Sequence, residues 1–285
     1  RDIPKLDDAN HAGTAKSETC TLILTEGDSA KTMAVSGLSV VGRDTYGVFP
    51  LRGKVLNVKE ATQSQIMNNA EITHLKKILG LETGKHYTNT QSLRYGKVMI
   101  MTDQDHDGSH IKGLVMNVFH TLWPSLLKLN YLTSMITPIV KVSQGKTTKA
   151  FYTMTEYEAW NEATSDSAKW KVKYYKGLGT STANEAREYF GNLKMNQYLF
   201  TPETSPSLNL AFSKSEADQR KAWLYNYDVQ VILDHTESQV PIEEFIHKEL
   251  IHFSNSDTFR SIGSLYDGLK PSQRKILYAC LKRNL

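Results

Sequence analysis

Cysteine is almost absent from this sequence, and two other marks of a secreted protein are missing as well. Its 285 residues contain only Cys20 and Cys280, too few for a disulfide framework or a cysteine-rich zinc site. No Asn-x-Ser/Thr glycosylation site occurs, and no apolar signal segment opens the chain. We therefore expect an intracellular protein with reduced thiols.

Long apolar runs are also lacking. The longest have the length of a strand, as in 98–101, so the sequence predicts no membrane span. Proline and glycine are few, while 40% apolar and 22% charged residues are typical of a folded protein and not of a disordered one. The net charge of +4 is too small to indicate a nucleic-acid partner by itself.

Strand-like runs alternate with helical patterns in the first half of the chain. The β-branched and apolar runs are 21–25, 46–51 and 97–102. Apolar residues recur at helical spacing over 62–81 and 111–129. This alternation predicts an α/β fold with helices on the faces of a parallel sheet. Ligands of such sheets bind beyond the carboxyl ends of the strands, which is where Glu26 and Asp103 fall.

Three carboxylates stand close together after the third strand-like run, at Asp103, Asp105 and Asp107. Their mutual repulsion raises at least one pKa unless a cation neutralises it, so a hard divalent metal ion explains this acidic turn most simply. A calcium-binding EF-hand loop begins in the same way, but its twelfth position needs glutamate and Leu114 stands there. A solvated acidic turn without a ligand is the remaining alternative.

Basic residues form three short clusters, at 52–54, 220–221 and 270–275. Alone, each is more typical of a solvated helix end than of a DNA contact. Together with a metal site, they match the needs of phosphate chemistry, which requires a cation at the leaving oxygen and basic groups along the backbone. Gly177-Leu-Gly179 indicates a turn or a close backbone approach.

Five motifs, taken in order, resemble the signature set of type IIA DNA topoisomerases. The sequence between these motifs resembles that of the eukaryotic branch of the family. The motifs are Glu26-Gly-Asp-Ser-Ala30, Pro50-Leu-Arg-Gly-Lys-Val-Leu-Asn57, Asp103-Gln-Asp-His-Asp-Gly-Ser-His-Ile-Lys-Gly113, Tyr175-Lys-Gly-Leu-Gly-Thr-Ser181 and Asp267-Gly-Leu-Lys-Pro-Ser-Gln-Arg-Lys275. The resemblance implies a TOPRIM metal-binding core over 1–135, its extension and linker helices over 136–235, and the mainly helical start of a winged-helix domain over 236–285.

The resemblance also implies the residues of the site. Two Mg²⁺ ions are expected on Glu26, Asp103 and Asp105, with Asp103 shared and Asp107 supporting; Mn²⁺ or Ca²⁺ can replace Mg²⁺ for binding. Double-stranded DNA is the expected partner. Its expected contacts are Arg52, Lys54, Asn57, Arg220, Lys221, Lys270, Arg274 and Lys275.

By the same resemblance, this chain is the metal-binding part of the DNA gate of an ATP-dependent type II topoisomerase. We expect no catalytic residue in the chain itself, because none of its tyrosines has the sequence context of the family's nucleophile, and ATP is expected only in the parent enzyme. A nuclear location, a homodimeric parent and no membrane association are implied. The alternatives are another TOPRIM phosphotransferase, such as a primase or nuclease, and a DNA-binding module without chemistry.

Overall fold

Nine strands form two sheets in the computed structural model, which describes residues 3–285. The strands are β1 (Thr21–Glu26), β2 (Tyr46–Leu51), β3 (Lys97–Met101), β4 (Leu132–Met135), β5 (Val140–Gln144), β6 (Thr147–Phe151), β7 (Lys171–Tyr174), β8 (Met195–Leu199) and β9 (Gln239–Pro241). The larger sheet has the order β2-β1-β3-β4-β8-β9, and only its β4–β8 pair is antiparallel. The smaller sheet, β6-β5-β7, is antiparallel.

Helices cover the larger sheet and make up most of the C-terminal third. They are α1 (Gly27–Val41), α2 (Gln63–Asn68), α3 (Ala70–Leu79), α4 (His106–Leu122), α5 (Pro124–Leu127), α6 (Met154–Ala163), α7 (Ala183–Gly191), α8 (Thr204–Phe212), α9 (Ala217–Tyr225), α10 (Ile242–Phe245), α11 (Ile251–Ser261) and α12 (Pro271–Arg283). A π-helical segment, Ile246–Leu250, joins α10 to α11. The prediction of an α/β fold with a mainly parallel sheet and a helical C-terminal region is confirmed.

The central strands are buried on both faces, as their continuous apolar runs predict. Leu22 and Leu24 of β1 pack into one hydrophobic cluster, whereas Ile23, which points to the opposite face, packs into a second. Successive side chains of a strand alternate between faces, so one strand contributes to both layers. Burial of each such side chain is worth about 1.5–3 kcal/mol, which fixes the register and hence the strand ends.

Two helices begin or end at other residues than the sequence predicts. The pattern over 62–81 is broken at Asn69, whose side chain accepts a hydrogen bond from the Ile72 amide and caps α3. The second helix begins at His106, before the predicted 111, and its regular part ends at Leu122, because Pro124 cannot donate to the helix. The residues 106–108, predicted as part of the acidic turn, are therefore the first turn of α4.

The short strands β4, β8 and β9 are absent from the sequence predictions. α12 begins with Pro271 at its first position and carries Arg274 and Lys275 of the third basic cluster. In the part of the chain from residue 3 to residue 285, no helix is both long and apolar enough to cross a membrane.

Candidate metal and DNA site

Glu26 and Asp103 lie side by side at the carboxyl ends of β1 and β3. These strands are parallel neighbours, and the Asp103 backbone amide donates to Glu26 Oε2 over 3.4 Å. Gly27 follows with a φ of +74°, a left-handed conformation that glycine adopts without a Cβ penalty. This glycine lets the chain turn from β1 into α1 while the Glu26 side chain stays at the strand end.

Asp103 is fixed from a second side by the turn that contains Gly177. Asp103 Oδ1 accepts a hydrogen bond from the Leu178 amide at 2.7 Å. A Cβ on Gly177 would stand 2.4 Å from Asp103 Oδ2, so only glycine leaves room for the carboxylate. The close backbone approach predicted at Gly177 is therefore the packing of this glycine against the Asp103 carboxylate.

Asp105 is the N-cap of α4. Its Oδ1 accepts from the Gly108 amide at 2.7 Å, which satisfies one of the free amides of the first helical turn. The positive end of the helix dipole also favours negative charge at this position and at Asp107 in the first turn. The cap thus fixes the direction in which the Asp105 carboxylate points.

Asp107 has two cationic partners. Arg260 Nη1 and Nη2 donate to its two oxygens at 2.8 and 2.7 Å, and Lys54 Nζ lies 2.8 Å from Oδ1. The guanidinium of Arg260, followed by the ammonium of Lys54, holds the pKa of Asp107 well below its usual range. Both Asp107 carboxylate oxygens therefore already accept hydrogen bonds from cationic side chains.

The donor set fits a hard divalent cation, although its members do not yet converge on one point. Burial raises the pKa of Glu26, and the neighbouring charges of Asp103, Asp105 and Asp107 raise it further, which a bound cation would relieve. Carboxylate oxygens are the ligands that magnesium prefers. Over residues 3–285, no three His, Cys, Asp or Glu side chains stand close enough together to enclose an ion as they are. Glu26, Asp103 and Asp105 fit the ion; Asp107 fits it least.

Of the predicted DNA contacts, only Lys54 reaches the acidic turn. Its Nζ also lies 4.7 Å from the centre of the Phe253 ring. Asn57 instead points into the protein, where Nδ2 donates to the Phe212 carbonyl at 3.0 Å and Oδ1 accepts from Asn117 at 2.8 Å. Arg52 is exposed and lies 3.9 Å from Glu71.

The other predicted DNA contacts lie on α9 and at the start of α12. Arg220 donates to the carbonyls of Leu210 and Ser213, which closes the end of α8, and Lys221 pairs with Asp218 at 2.8 Å. Lys270 precedes α12, and Arg274 on this helix donates to Asp267 at 2.7 Å. Lys275 is exposed on the same helix. Their roles in DNA binding stay predictions.

Sequence reasoning missed Arg260 and the Leu178 amide. Arg260 is 153 positions from Asp107, and no periodic pattern connects them. The His110 ring is stacked on the Phe253 ring, with 3.9 Å between their centres, and burial lowers the pKa of His110 to about 4. The advance signal for the Leu178 amide was the family motif around Gly177, whereas the neutral segment around Arg260 gave none.

Comparison with known proteins agrees with this site. Residues 21–137 match the Toprim domain, and residues 135–258 match the C-terminal associated domain of TOPRIM. The parallel sheet, the acidic residues at its strand ends and these matches define a Toprim protein.

The chain belongs to the eukaryotic DNA topoisomerase II family. It is 56% identical to DNA topoisomerase 2-alpha of Mus musculus and of Homo sapiens over 300 aligned residues, which include 99% of this chain and 20% of each relative. A crystal structure of the Plasmodium falciparum topoisomerase II DNA-binding, cleavage and re-ligation domain matches 100% of this chain and 40% of its own, with 51% identity and a TM-score of 0.91. The chain thus spans about a fifth of the length of these curated relatives. Membership of this family implies the use of a divalent metal ion.

Proposed function

We propose that this chain is the metal-binding part of the DNA gate of an ATP-dependent type II topoisomerase, where it supports tyrosine-mediated cleavage and religation of double-stranded DNA. The observation that carries the proposal is the pairing of Glu26 with Asp103 at neighbouring parallel strand ends, 3.4 Å from carboxylate oxygen to amide nitrogen. A nuclear, homodimeric parent enzyme supplies the nucleophilic tyrosine and the ATP-hydrolysing module.

The proposed metal ligands are Glu26, Asp103 and Asp105, which hold two Mg²⁺ ions with Asp103 shared; Asp107 supports them. A bound divalent cation supplies charge stabilisation for the departing 3′ oxygen of DNA. The chain's own residues prepare the site: the Leu178 amide orients Asp103, and the N-cap bond orients Asp105. These two hydrogen bonds restrict the orientations of Asp103 and Asp105, and the carboxylates would converge further when a cation binds.

Lys54 is the proposed phosphate contact nearest to these carboxylates. It pairs with Asp107, and a DNA phosphodiester offers the same charge and two non-bridging acceptor oxygens in place of the carboxylate. The proposed contacts Arg52, Asn57, Arg220, Lys221, Lys270, Arg274 and Lys275 extend the interface. Because Arg274 is paired with Asp267, binding through Arg274 requires exchange of that ion pair.

Manganese binding tests the proposal, because Mn²⁺ replaces Mg²⁺ and can be followed directly. We expect the chain to bind Mn²⁺, more tightly with a short nicked duplex than without it, and Asp103→Asn to abolish this binding. Asp228→Asn is the matched control, since Asp228 is an exposed residue far along the chain whose Oδ1 accepts from the Gln230 amide. Equal binding by wild type and Asp103→Asn would contradict the proposal and favour a DNA-binding module without chemistry.

A further inference from the structure

A buried ion pair joins α4 to the π-helical segment. Lys112 Nζ lies 2.6 Å from Glu249 Oε1, and the two side chains are 2% and 13% exposed. The same oxygen accepts a hydrogen bond from Ser109 Oγ at 2.8 Å. Ser109 and Lys112 stand on the first two turns of α4, directly after the acidic turn. One carboxylate therefore holds the part of α4 that presents Asp105 and Asp107.

Both members of the pair are charged despite their burial. Burial works against each charge, but the attraction between them raises the pKa of Lys112 and lowers that of Glu249. A buried pair of this kind adds little to stability compared with apolar residues of similar size. Separating it is costly, because either partner would be left as an uncompensated buried charge. Its main physical effect is to force the two helical elements to move together.

The long helix that carries Glu249 contacts α4 at a second point. Arg260, near the far end of α11, pairs with Asp107, and these two side chains are 44% and 36% exposed. An exposed pair is readily exchanged for another anion, whereas the Lys112–Glu249 pair is not. The chain then continues through Leu269 to Lys270 and α12, which carry proposed DNA contacts. The helical run that contains Glu249 therefore packs against α4 and leads, in chain order, to the proposed DNA contacts at Lys270 and on α12.

We infer that Glu249 is a positioning residue that transmits DNA binding to the acidic turn through Ser109 and Lys112. The inference rests on the proposed function, because it needs DNA at α12 and a metal at the turn. When DNA displaces Asp107 from Arg260, the buried pair keeps the first turns of α4 attached to the moving helix. The π-helical geometry at Ile246–Leu250 fits this role, since such segments often mark functional sites in helices.

The test removes both charges at once, so that no buried charge is left alone. The variant is Lys112→Met/Glu249→Leu, which replaces the pair by apolar side chains of similar volume. The matched control is Lys141→Met/Glu188→Gln, which removes another ion pair of a buried lysine, 2.9 Å long, between β5 and α7. Two quantities are measured for each protein: Mn²⁺ affinity with and without a nicked duplex, and hydrogen exchange of amides 106–112 with and without that duplex in metal-free buffer.

We expect the duplex to tighten Mn²⁺ binding by about fivefold or more in wild type and in the control, and by less than about twofold in Lys112→Met/Glu249→Leu. Affinity without DNA should change little. DNA should also slow exchange of amides 106–112 in wild type and control only. Persistence of both DNA effects in the Lys112/Glu249 variant, or their equal loss in the control, would overturn the inference.

The two measurements separate this inference from the proposed function. If wild type binds no Mn²⁺, the metal proposal fails. The hydrogen-exchange data then decide by themselves whether DNA binding is coupled to the acidic turn. If Mn²⁺ binds but DNA changes neither its affinity nor the exchange of amides 106–112 in wild type, the metal site stands and the coupling is wrong.

Discussion

Arg260 binds Asp107 through both terminal nitrogens, at 2.8 and 2.7 Å, and so joins α11 to the first turn of α4. Lys54 approaches the same carboxylate at 2.8 Å. Two cations and one carboxylate form a compact cluster beside the proposed metal ligands. If Lys54 contacts a phosphate of DNA, as we propose, Asp107 competes with that phosphate for the two basic side chains.

Neutralising Asp107 should therefore increase DNA affinity when no metal is present. Asp107→Asn frees Lys54 and Arg260 from a competing anion, and we expect duplex affinity to rise by up to about fivefold, equivalent to about 1 kcal/mol for exposed pairs. Fluorescence anisotropy with a short duplex in metal-free buffer measures this. Asp228→Asn, with the same change in net charge, controls for overall electrostatics. Affinity that is unchanged or weaker in Asp107→Asn would show that Asp107 does not compete with phosphate.

Gly177 should be necessary for metal binding although it carries no ligand. In Gly177→Ala the new Cβ would meet the Asp103 carboxylate at 2.4 Å and push it from its place. Disturbing a group that orients a metal ligand typically costs about 10- to 100-fold in metal affinity, and we expect a loss in that range by Mn²⁺ titration.

Gly179→Ala provides the control for the same turn, because a Cβ there has open space around it. It should bind Mn²⁺ as wild type does. Equal losses in both variants would indicate a general effect on the turn, and no loss in either would show that Asp103 is not a ligand.

His110 should make stability depend on pH. Burial lowers its pKa to about 4, below the ordinary value of 6.5, so between these values the unfolded state binds more protons than the folded state. Stability therefore falls as the pH falls through this window and is unaffected by His110 above it. In His110→Phe, which keeps a ring stacked on Phe253, the slope of unfolding free energy between pH 4.5 and 6 should decrease by about 1 kcal/mol per pH unit.

Urea unfolding at several pH values measures this slope. His86→Phe, at an exposed position, is the control for replacing a histidine by phenylalanine. A His110→Phe profile that parallels wild type would mean that His110 titrates normally.

Lys54→Ala should weaken duplex binding and flatten its dependence on salt. Loss of one phosphate contact lowers the slope of log affinity against log salt by about 0.9. Binding isotherms at several salt concentrations give the slope, with Lys16→Ala as the control because Lys16 is exposed and outside the proposed interface. A slope shared by wild type and Lys54→Ala would remove Lys54 from the interface.

The fold was predictable where the chain is apolar and periodic. The runs that become β1, β2 and β3 are buried on both faces. Their sequences are therefore almost continuously apolar, which predicts buried strands. β4 and β8 were missed because they are short and contain polar residues that the sheet buries, such as Ser134 and Asn196. Only tertiary pairing identifies them, since strand propensity depends strongly on context.

The site, like the fold, could be predicted from the sequence only in part. The proximity of Glu26 and Asp103 follows from parallel topology, because neighbouring strands end at the same edge of the sheet. The contact of Arg260 with Asp107 and that of Glu249 with Lys112 join segments more than 130 positions apart. No local pattern fixes such distances, so these contacts became visible only with the fold.

The most direct test of the metal site is anomalous diffraction from crystals of this chain bound to a nicked duplex and soaked with Mn²⁺. We expect anomalous peaks within coordination distance of the Glu26, Asp103 and Asp105 carboxylates, next to a DNA phosphate. Well-ordered duplex beside these carboxylates with no manganese peak, or manganese bound only by other residues, would contradict the proposed metal site.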